Sequence, residues 1–405
     1  MSAPLRAFAA YGIELEYMLV DAVSLDVAPI ADQLLAQEAG AGACDVARGD
    51  AGWSNELVLH LVELKNRQPQ PDLGALHALF RDEVRHLNRR LAAFGARLMP
   101  TGMHPWMDPR RETRLWPHAG ADVYRSFDRI FDCRRHGWAN LQSMHVNLPF
   151  ADDAEFARLH AAVRLVLPLL PALAASSPIV EGRITGVLDS RLEAYRGNCA
   201  RLPSITGAVI PECAHSRADY ETKILAPMYR DMTALDPAGE LRHEWLNARG
   251  AIARFERNAI EIRVLDTQEC PQADVAIAAA TVAAVRRLYQ RHDMGALQAP
   301  DTGELARIFL ACVRDAERAV IDDRRYLALW GFPGARSEAR ELWHLLTESD
   351  GALAPWRAPL AAIWEQGTLA RRIVRAVGAD HRREQLRQVY GELCACLEQD
   401  RLFLL

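Results

Sequence analysis

Apolar and polar positions alternate with a period of two from Tyr11 to Asp21, where Ile13 and Leu15 stand beside Glu14 and Glu16. Successive side chains of a strand point to opposite faces, so the alternation predicts a β-strand with both acids on one side. Comparable apolar text returns in Glu56 to Lys65 (ELVLHLVELK), Gln142 to Phe150 and Ala259 to Asp266, which are read as three further strands. Leu98 to Met103 reads as a short strand ending in a turn. Helical spacing takes over elsewhere. Residues 71–96 carry Leu73, Leu76, Leu79, Val84, Leu87 and Leu91 on one helical face behind Pro71-Asp72. Residues 152–175 form a more apolar helix that Pro168 and Pro171 kink or break. The stretch between the first two strands and most of 176–249 read as loop and turn. Beyond Pro271 the pattern is almost wholly helical, with segments at about 272–291, 302–320, 336–348, 355–376 and 380–400.

Strands separated by long helices and followed by a helical tail, without a regular βαβ rhythm, predict an α+β fold whose sheet is mainly antiparallel. No repeat or low-complexity linker divides the 405 residues. The chain is therefore read as a single domain, 1–405, with a sheet core over about 11–270 and a helical region over about 271–405.

Half of the residues are apolar, and a net charge of -5 is spread along the chain without a basic stripe, so no nucleic-acid partner is expected. No stretch approaches 18 uncharged apolar residues, and Met1 to Ala10 is too short for a signal, so no membrane span and a cytoplasmic location are expected. Eight cysteines lie at irregular distances, with Cys394 and Cys396 lacking the second pair of a zinc site, and are read as reduced thiols. Lys65 and Lys223 are the only lysines, and no GxxxxGK[ST] or helix-opening GxGxxG occurs; phosphate handling falls to arginine. Apolar positions of the C-terminal helices suit packing or a contact between copies, which leaves a homo-oligomer open. The arginines from Arg371-Arg372 to Arg382-Arg383 read as a solvated helix face.

The chemistry gathers in three i, i+2 pairs on strands: Glu14 with Glu16, His145 with Asn147, and Glu261 with Arg263. Two carboxylates so spaced lie about 7 Å apart, within reach of neighbouring metal ions. Glu63 sits in an apolar strand where an unpaired carboxylate is costly and a cation would relieve it, and Glu56 precedes it at the start of that strand. His145 can ligate metal or contact phosphate, and Asn147 adds a donor and an acceptor to the same face. Arg263 beside Glu261 places a bidentate phosphate donor next to a metal carboxylate. Such a face calls for divalent cations with oxygen ligands and an anionic ligand.

Five motifs in order carry a family resemblance: Gly12-Ile-Glu-Leu-Glu16, Val62-Glu63-Leu64, Gln142-Ser-Met-His-Val-Asn147, Ser176-Ser-Pro178 with Asp189-Ser-Arg191, and Ala259-Ile-Glu-Ile-Arg-Val-Leu-Asp266. Together they resemble the glutamate-cysteine ligase superfamily, closest to its bacterial carboxylate-amine ligase branch. The resemblance implies a curved antiparallel sheet of glutamine-synthetase-like type, ATP, and two or three Mg2+ ions. It implies Glu14, Glu16, Glu56, Glu63, Glu261 and His145 as metal contacts. ATP and its phosphates would meet His145, Asn147, Arg191 and Arg263, with Arg191 and Arg263 acting on the transferring phosphoryl group. The implied reaction joins a carboxylate to an amine through an acyl phosphate, with glutamate and cysteine as first candidates. A different amine or peptide acceptor, or a non-catalytic nucleotide binder, are the rivals. Leu59 and Ser143 depart from the family pattern at an acid and a histidine. Arg196, Arg249 and Arg254 are candidate substrate-carboxylate anchors or salt-bridge partners, and His104, in the turn Met103-His-Pro-Trp106, either lines the substrate side or packs.

Overall fold

A computed structural model describes residues 4–348 and 350–405. Residues 1–3 of the stretch read for a signal lie outside them. The centre is an eight-stranded sheet of β1 (Gly12–Asp21), β2 (Asp45–Arg48), β3 (Ala51–Asn55), β4 (Leu61–Asn66), β5 (Ala96–Met99), β6 (Ser143–Pro149), β7 (Ala251–Arg254) and β8 (Ala259–Asp266). The order is β2-β3-β4-β1-β6-β8-β7, with β5 paired to the end of β1, and every pairing is antiparallel. The chain is an α+β protein with an antiparallel sheet and a helical second half, as its patterning predicts. No described helix is long and apolar enough to cross a membrane.

Alternation sorts the two faces of this sheet. Ile13, Leu15, Tyr17 and Leu19 of β1, Val62 and Leu64 of β4, Met144, Val146 and Leu148 of β6, and Ile260 and Ile262 of β8 are buried in one hydrophobic cluster. Against them lie the helices Leu73–Leu91, Asp153–Val166 and Pro271–Tyr289. The first contributes Leu76, Phe80, Val84, Leu87 and Leu91 from one face, and its start is fixed by Asp72, which accepts the Gly74 N–H at 2.8 Å. Each such side chain removed from water contributes about 1.5–3 kcal/mol, so this layer is the main source of cohesion.

The opposite face is divided. Met18 and Val20, near the end of β1, join Leu61, Met99, Ile373, Leu386 and Tyr390 in a second cluster roofed by the helices Leu369–Val377 and Arg383–Gln399. Farther back on β1 the same face carries Glu16 and Glu14, and there the apolar roof ends. A bulge finishes the layout: between Ile262 and Leu265 strand β8 gains one residue against β6. The extra residue reverses the side-chain parity, so Asp266, paired with Ser143, shares a face with Arg263.

Several expectations shift. The second strand begins at Leu61 rather than Glu56, because Val58 instead bridges to Leu115 and Glu56 lies outside any strand, directly after β3. The stretch read as loop before it holds the β2–β3 hairpin. The short strand is Ala96–Met99, and the residues after it turn through Thr101 at φ 83°. The apolar helix is divided into Asp153–Val166, a tight turn at Leu167–Leu169 and Pro171–Ala174, where the prolines withhold backbone donors. The segment read as 355–376 is two helices, Arg357–Gln366 and Leu369–Val377, parted at Gly367 with φ 87°. Within the arginine run, Arg372 is not solvated: it is buried and bonds Glu269 at 2.6 Å. All eight cysteines are free thiols.

Candidate active site

Strand register assembles the polar face. Glu14 pairs with His145 across β1–β6 and with Lys65 across β1–β4, Glu16 pairs with Glu63, and Glu261 pairs with Asn147. Directly opposite residues share a face, so acids from three strands converge with the His145 and Asn147 of a fourth. His145 Nδ1 lies 2.9 Å from Glu14 Oε2, and Asn147 donates to Glu14 Oε1 at 3.3 Å. Ser143 gives Glu16 two hydrogen bonds, from its N–H at 2.7 Å and its hydroxyl at 2.8 Å, and stands 3.0 Å from His145 Nε2. Glu63 accepts from Ser54 and from Lys65 Nζ, both at 2.9 Å. Glu261 is held between Arg254 and Arg263, each at 3.1 Å.

Electrostatics divides these acids. For Glu14, burial works upward, but the hydrogen bond and charge of His145 win and hold its carboxyl at about 2. Burial lowers His145, yet Glu14 and Glu16 raise it to about 9, so the metal-free site pairs an imidazolium with a carboxylate. Glu56 is pushed well up, first by desolvation and then by Glu63 and Glu16. Glu63 is raised by burial and Glu14 against the pull of Lys65. Acids that resist ionisation in a polar cluster are suited to binding a cation.

Two groups of donors meet the test for such a cation. Glu14, Glu63 and His145 offer ligand atoms within 4.8 Å of one another, and so do Glu16, Glu56 and Glu63. Opposite oxygens around Mg2+ lie about 4.2 Å apart at its bond length of about 2.1 Å, so both sets fit a divalent cation after a small contraction. Glu63 belongs to both sets. Oxygen-rich donors favour a hard ion such as Mg2+, which would neutralise charge on phosphate oxygens.

Two cavities flank this line of acids. One, about 590 Å3, is polar and includes Glu14, Glu63, Lys65, Asn147, Arg254 and Glu261. The other, about 460 Å3, is walled by Tyr124, Phe127, Trp138, Tyr195 and Trp245, with Arg191 at its edge. Glu16, Glu56, His145 and Arg263 line both. Arg191 reaches this boundary from the helix Ser190–Tyr195. It is buried and bonded through Nε to Asp266, which also accepts the Ser176 N–H at 2.9 Å and the Ser177 hydroxyl at 2.8 Å. The two serines and the Asp189-Ser-Arg191 turn thus form one buried clamp with the Asp266 that the bulge re-aims.

The structure brings together Glu14, Glu16, Glu56, Glu63, His145, Asn147, Arg191, Glu261 and Arg263, and adds Arg254 to the polar cavity. Three candidates lie elsewhere. Arg196 is exposed and pairs with Glu193 on its own helix. Arg249 is buried, but it grips Glu212 at 2.6 and 2.7 Å and the carbonyl of Ser204 at 3.1 Å, which makes it a clamp on a loop. His104 is packed within its turn, with Nε2 2.8 Å from the Leu25 carbonyl and Nδ1 accepting the Met107 N–H at 3.0 Å. Burial holds its imidazole neutral, down to about 3. Sequence reasoning missed Lys65, although it stands two residues after Glu63 and hence on the same face. Ser143, read as a departure from a pattern, is the bridge between Glu16 and His145. The aromatic wall comes from four separate short helices and left no sequence signal.

The model of a protein family described as Glutamate-cysteine ligase family 2 matches residues 10–392. The chain belongs to this family. An uncharacterized protein of Archaeoglobus fulgidus is 35% identical over 268 residues, which are 66% of this chain and 72% of that protein. A Bradyrhizobium diazoefficiens protein named "Putative glutamate--cysteine ligase 2" is 29% identical over 70% of this chain, a match that spans 60% of its own length. Among solved structures, the glutamate–cysteine ligase of Francisella tularensis, in complex with AMP, shares the fold at a TM-score of 0.60 and 11% identity, covering 98% of this chain and 90% of that one. A bifunctional glutathione synthetase from Pasteurella multocida is similar over 95% of this chain and 52% of that chain, at a TM-score of 0.58 and 14% identity. Membership places this chain among ligases of the glutamate-cysteine ligase type.

Proposed function

We propose that this chain is an ATP- and Mg2+-dependent carboxylate-amine ligase. The observation that carries the reading is a single charged wall, the acids Glu16 and Glu56 with His145 and Arg263, shared by a polar and an aromatic cavity. Joining a carboxylate to an amine needs the carboxylate activated first, and a wall between two cavities sets an acid on one side against a triphosphate on the other. Glu14, Glu16, Glu56, Glu63 and His145 would hold Mg2+, with Glu261 beside them, and the ions would neutralise charge on the phosphate oxygens. Arg263 and Arg191 have guanidinium groups suited to the oxygens of the group in transfer, and Asn147 and Lys65 add donors on the nucleotide side.

In the first step a carboxylate oxygen forms a bond to the γ-phosphorus of ATP, and ADP departs with the electron pair of the broken P–O bond. In the second, an amine nitrogen attacks the acyl carbon, loses a proton, and phosphate leaves with the C–O electron pair. The protein's share is alignment, charge neutralisation and exclusion of water from the acyl phosphate. Glutamate and cysteine are the first substrate pair to try, followed by other amines and peptides.

The test is nucleotide analysis of the purified chain with ATP, Mg2+, candidate acids and amines, with mass spectrometry of the products. ADP and phosphate in step with an amide support the reading, and Glu16→Gln or Arg263→Ala should abolish both while leaving the fold intact. AMP and pyrophosphate would replace the acyl phosphate with an adenylate. A fully active Arg263→Ala chain would move the site elsewhere.

A further inference from the structure

We infer that the acid activated here carries one carboxylate on a large apolar or aromatic body, rather than the second carboxylate and ammonium of glutamate; this rests on the ligase reading above. Each cation that reaches the aromatic cavity already pairs with a carboxylate, and Arg191 keeps one nitrogen without a partner. His145 is bonded to Glu14, Arg263 to Glu261 and Arg191 to Asp266. Apart from these three cations and the acids Glu16 and Glu56, the lining contains no charged side chain, so its aromatic part has none. An α-carboxylate and an α-ammonium lodged there would both leave water without a counter-charge, which is the costliest kind of burial.

What the cavity offers is ring surface. The Phe127 ring lies 5.3 Å from that of Trp138 and 5.8 Å from that of Trp245, measured between centroids. Three lining residues also carry buried polar atoms that lack a partner: Arg191 Nη2, Trp138 Nε1 and the Tyr195 hydroxyl. The first two can only donate, so they suit oxygen acceptors and repel an ammonium group. A carboxylate at Arg191 with an aryl or bulky aliphatic body against Phe127, Trp138 and Trp245 meets each of these conditions. A volume of about 460 Å3, mostly apolar with a few convergent polar groups, suits a small molecule of that class.

Hydroxylamine can replace the unknown amine, so that any activated acid is trapped as a hydroxamate. The full chain is supplied with ATP, Mg2+, hydroxylamine, and either glutamate, phenylpropanoate or indoleacetate. The expected result is a kcat/KM at least about 10-fold higher for the aryl acids than for glutamate, with a rise in their KM in Trp245→Ala. Preference for glutamate would overturn the inference and leave the ligase reading standing. Hydroxamate from no acid would count against the ligase reading, and binding then decides the inference by itself. Saturable quenching of tryptophan fluorescence by phenylpropanoate, diminished in Trp138→Phe and unaffected by ADP, would support it. Absence of saturation, or competition by ADP, would give the cavity to another ligand and overturn it.

Discussion

Glu63→Gln probes the electrostatic design of the site most directly, because Glu63 is the one residue shared by both groups of metal donors. The substitution keeps a carbonyl oxygen for Ser54 and Lys65, which bond Glu63 at 2.9 Å, and removes only the charge. An ionised neighbour no more than 4.8 Å away repels Glu63 by about 3.5 kcal/mol at an effective dielectric of about 20. Lys65 offsets part of this, but burial and repulsion together still raise the Glu63 carboxyl, so its charge is a net burden without metal. The metal-free variant should therefore be at least as stable as the wild type near pH 7. With Mg2+ the order should invert. A site held at 100 times its Kd contributes about 2.7 kcal/mol. With an unfolding entropy of about 2.1 cal/mol/K per residue, that raises the apparent Tm by about 3 °C per site. Thermal unfolding with and without saturating Mg2+ should show a rise of about 6 °C for the wild type, about half that for Glu56→Gln, and almost none for Glu63→Gln. A Glu63→Gln chain that retains the full rise would refute the shared-ligand argument.

Two other perturbations test the scaffold behind the site. Asp266→Asn leaves Arg191 buried without its counter-charge, which should cost about 3–5 kcal/mol and lower kcat more than it alters the KM for ATP; urea unfolding and steady-state kinetics read the two effects, and a loss under about 1 kcal/mol would contradict the clamp. Gly102→Ala should act on the same contact, because an added Cβ would collide with the Asp266 carboxylate. His160 is buried with neither ring nitrogen bonded, and burial followed by the charge of Arg164 holds it down at about 3. Its folded value lies below its unfolded one, so its contribution is fully present above about pH 6.5 and is lost as pH falls below that, by about 2 kcal/mol at pH 5. His160→Leu should thus stabilise the chain by about 2 kcal/mol more at pH 5 than at pH 8 in urea unfolding; an equal effect at both values would show that the imidazole is not held neutral.

The acid line was legible because strand periodicity is local: Glu14, Glu16, Glu63, His145, Asn147, Glu261 and Arg263 each declared their face through the apolar residues beside them. The same logic extends to Lys65, which sequence reading passed over. The antiparallel character of the sheet and the helical second half followed from the order of the patterns. Glu56 was placed correctly in composition and wrongly in structure, since the apolar run 56–65 hides a turn that a tertiary bridge from Val58 to Leu115 decides.

What the sequence determined by itself, then, is the chemistry of one sheet face, because side-chain direction in a strand depends only on position along it. Tertiary structure alone decided which arginines serve that face. Arg196, Arg249 and Arg254 look equivalent along the chain, yet Glu261 holds Arg254 in the polar cavity, and Glu193 and Glu212 hold the other two away from both cavities. A flexible cation goes where a matching anion and enough burial make the pair worth more than solvation, and that is a property of three-dimensional neighbours. The aromatic cavity is of the same kind: Phe127, Trp138, Tyr195 and Trp245 come from separate short helices, and only their convergence above the acids gives the site its second side.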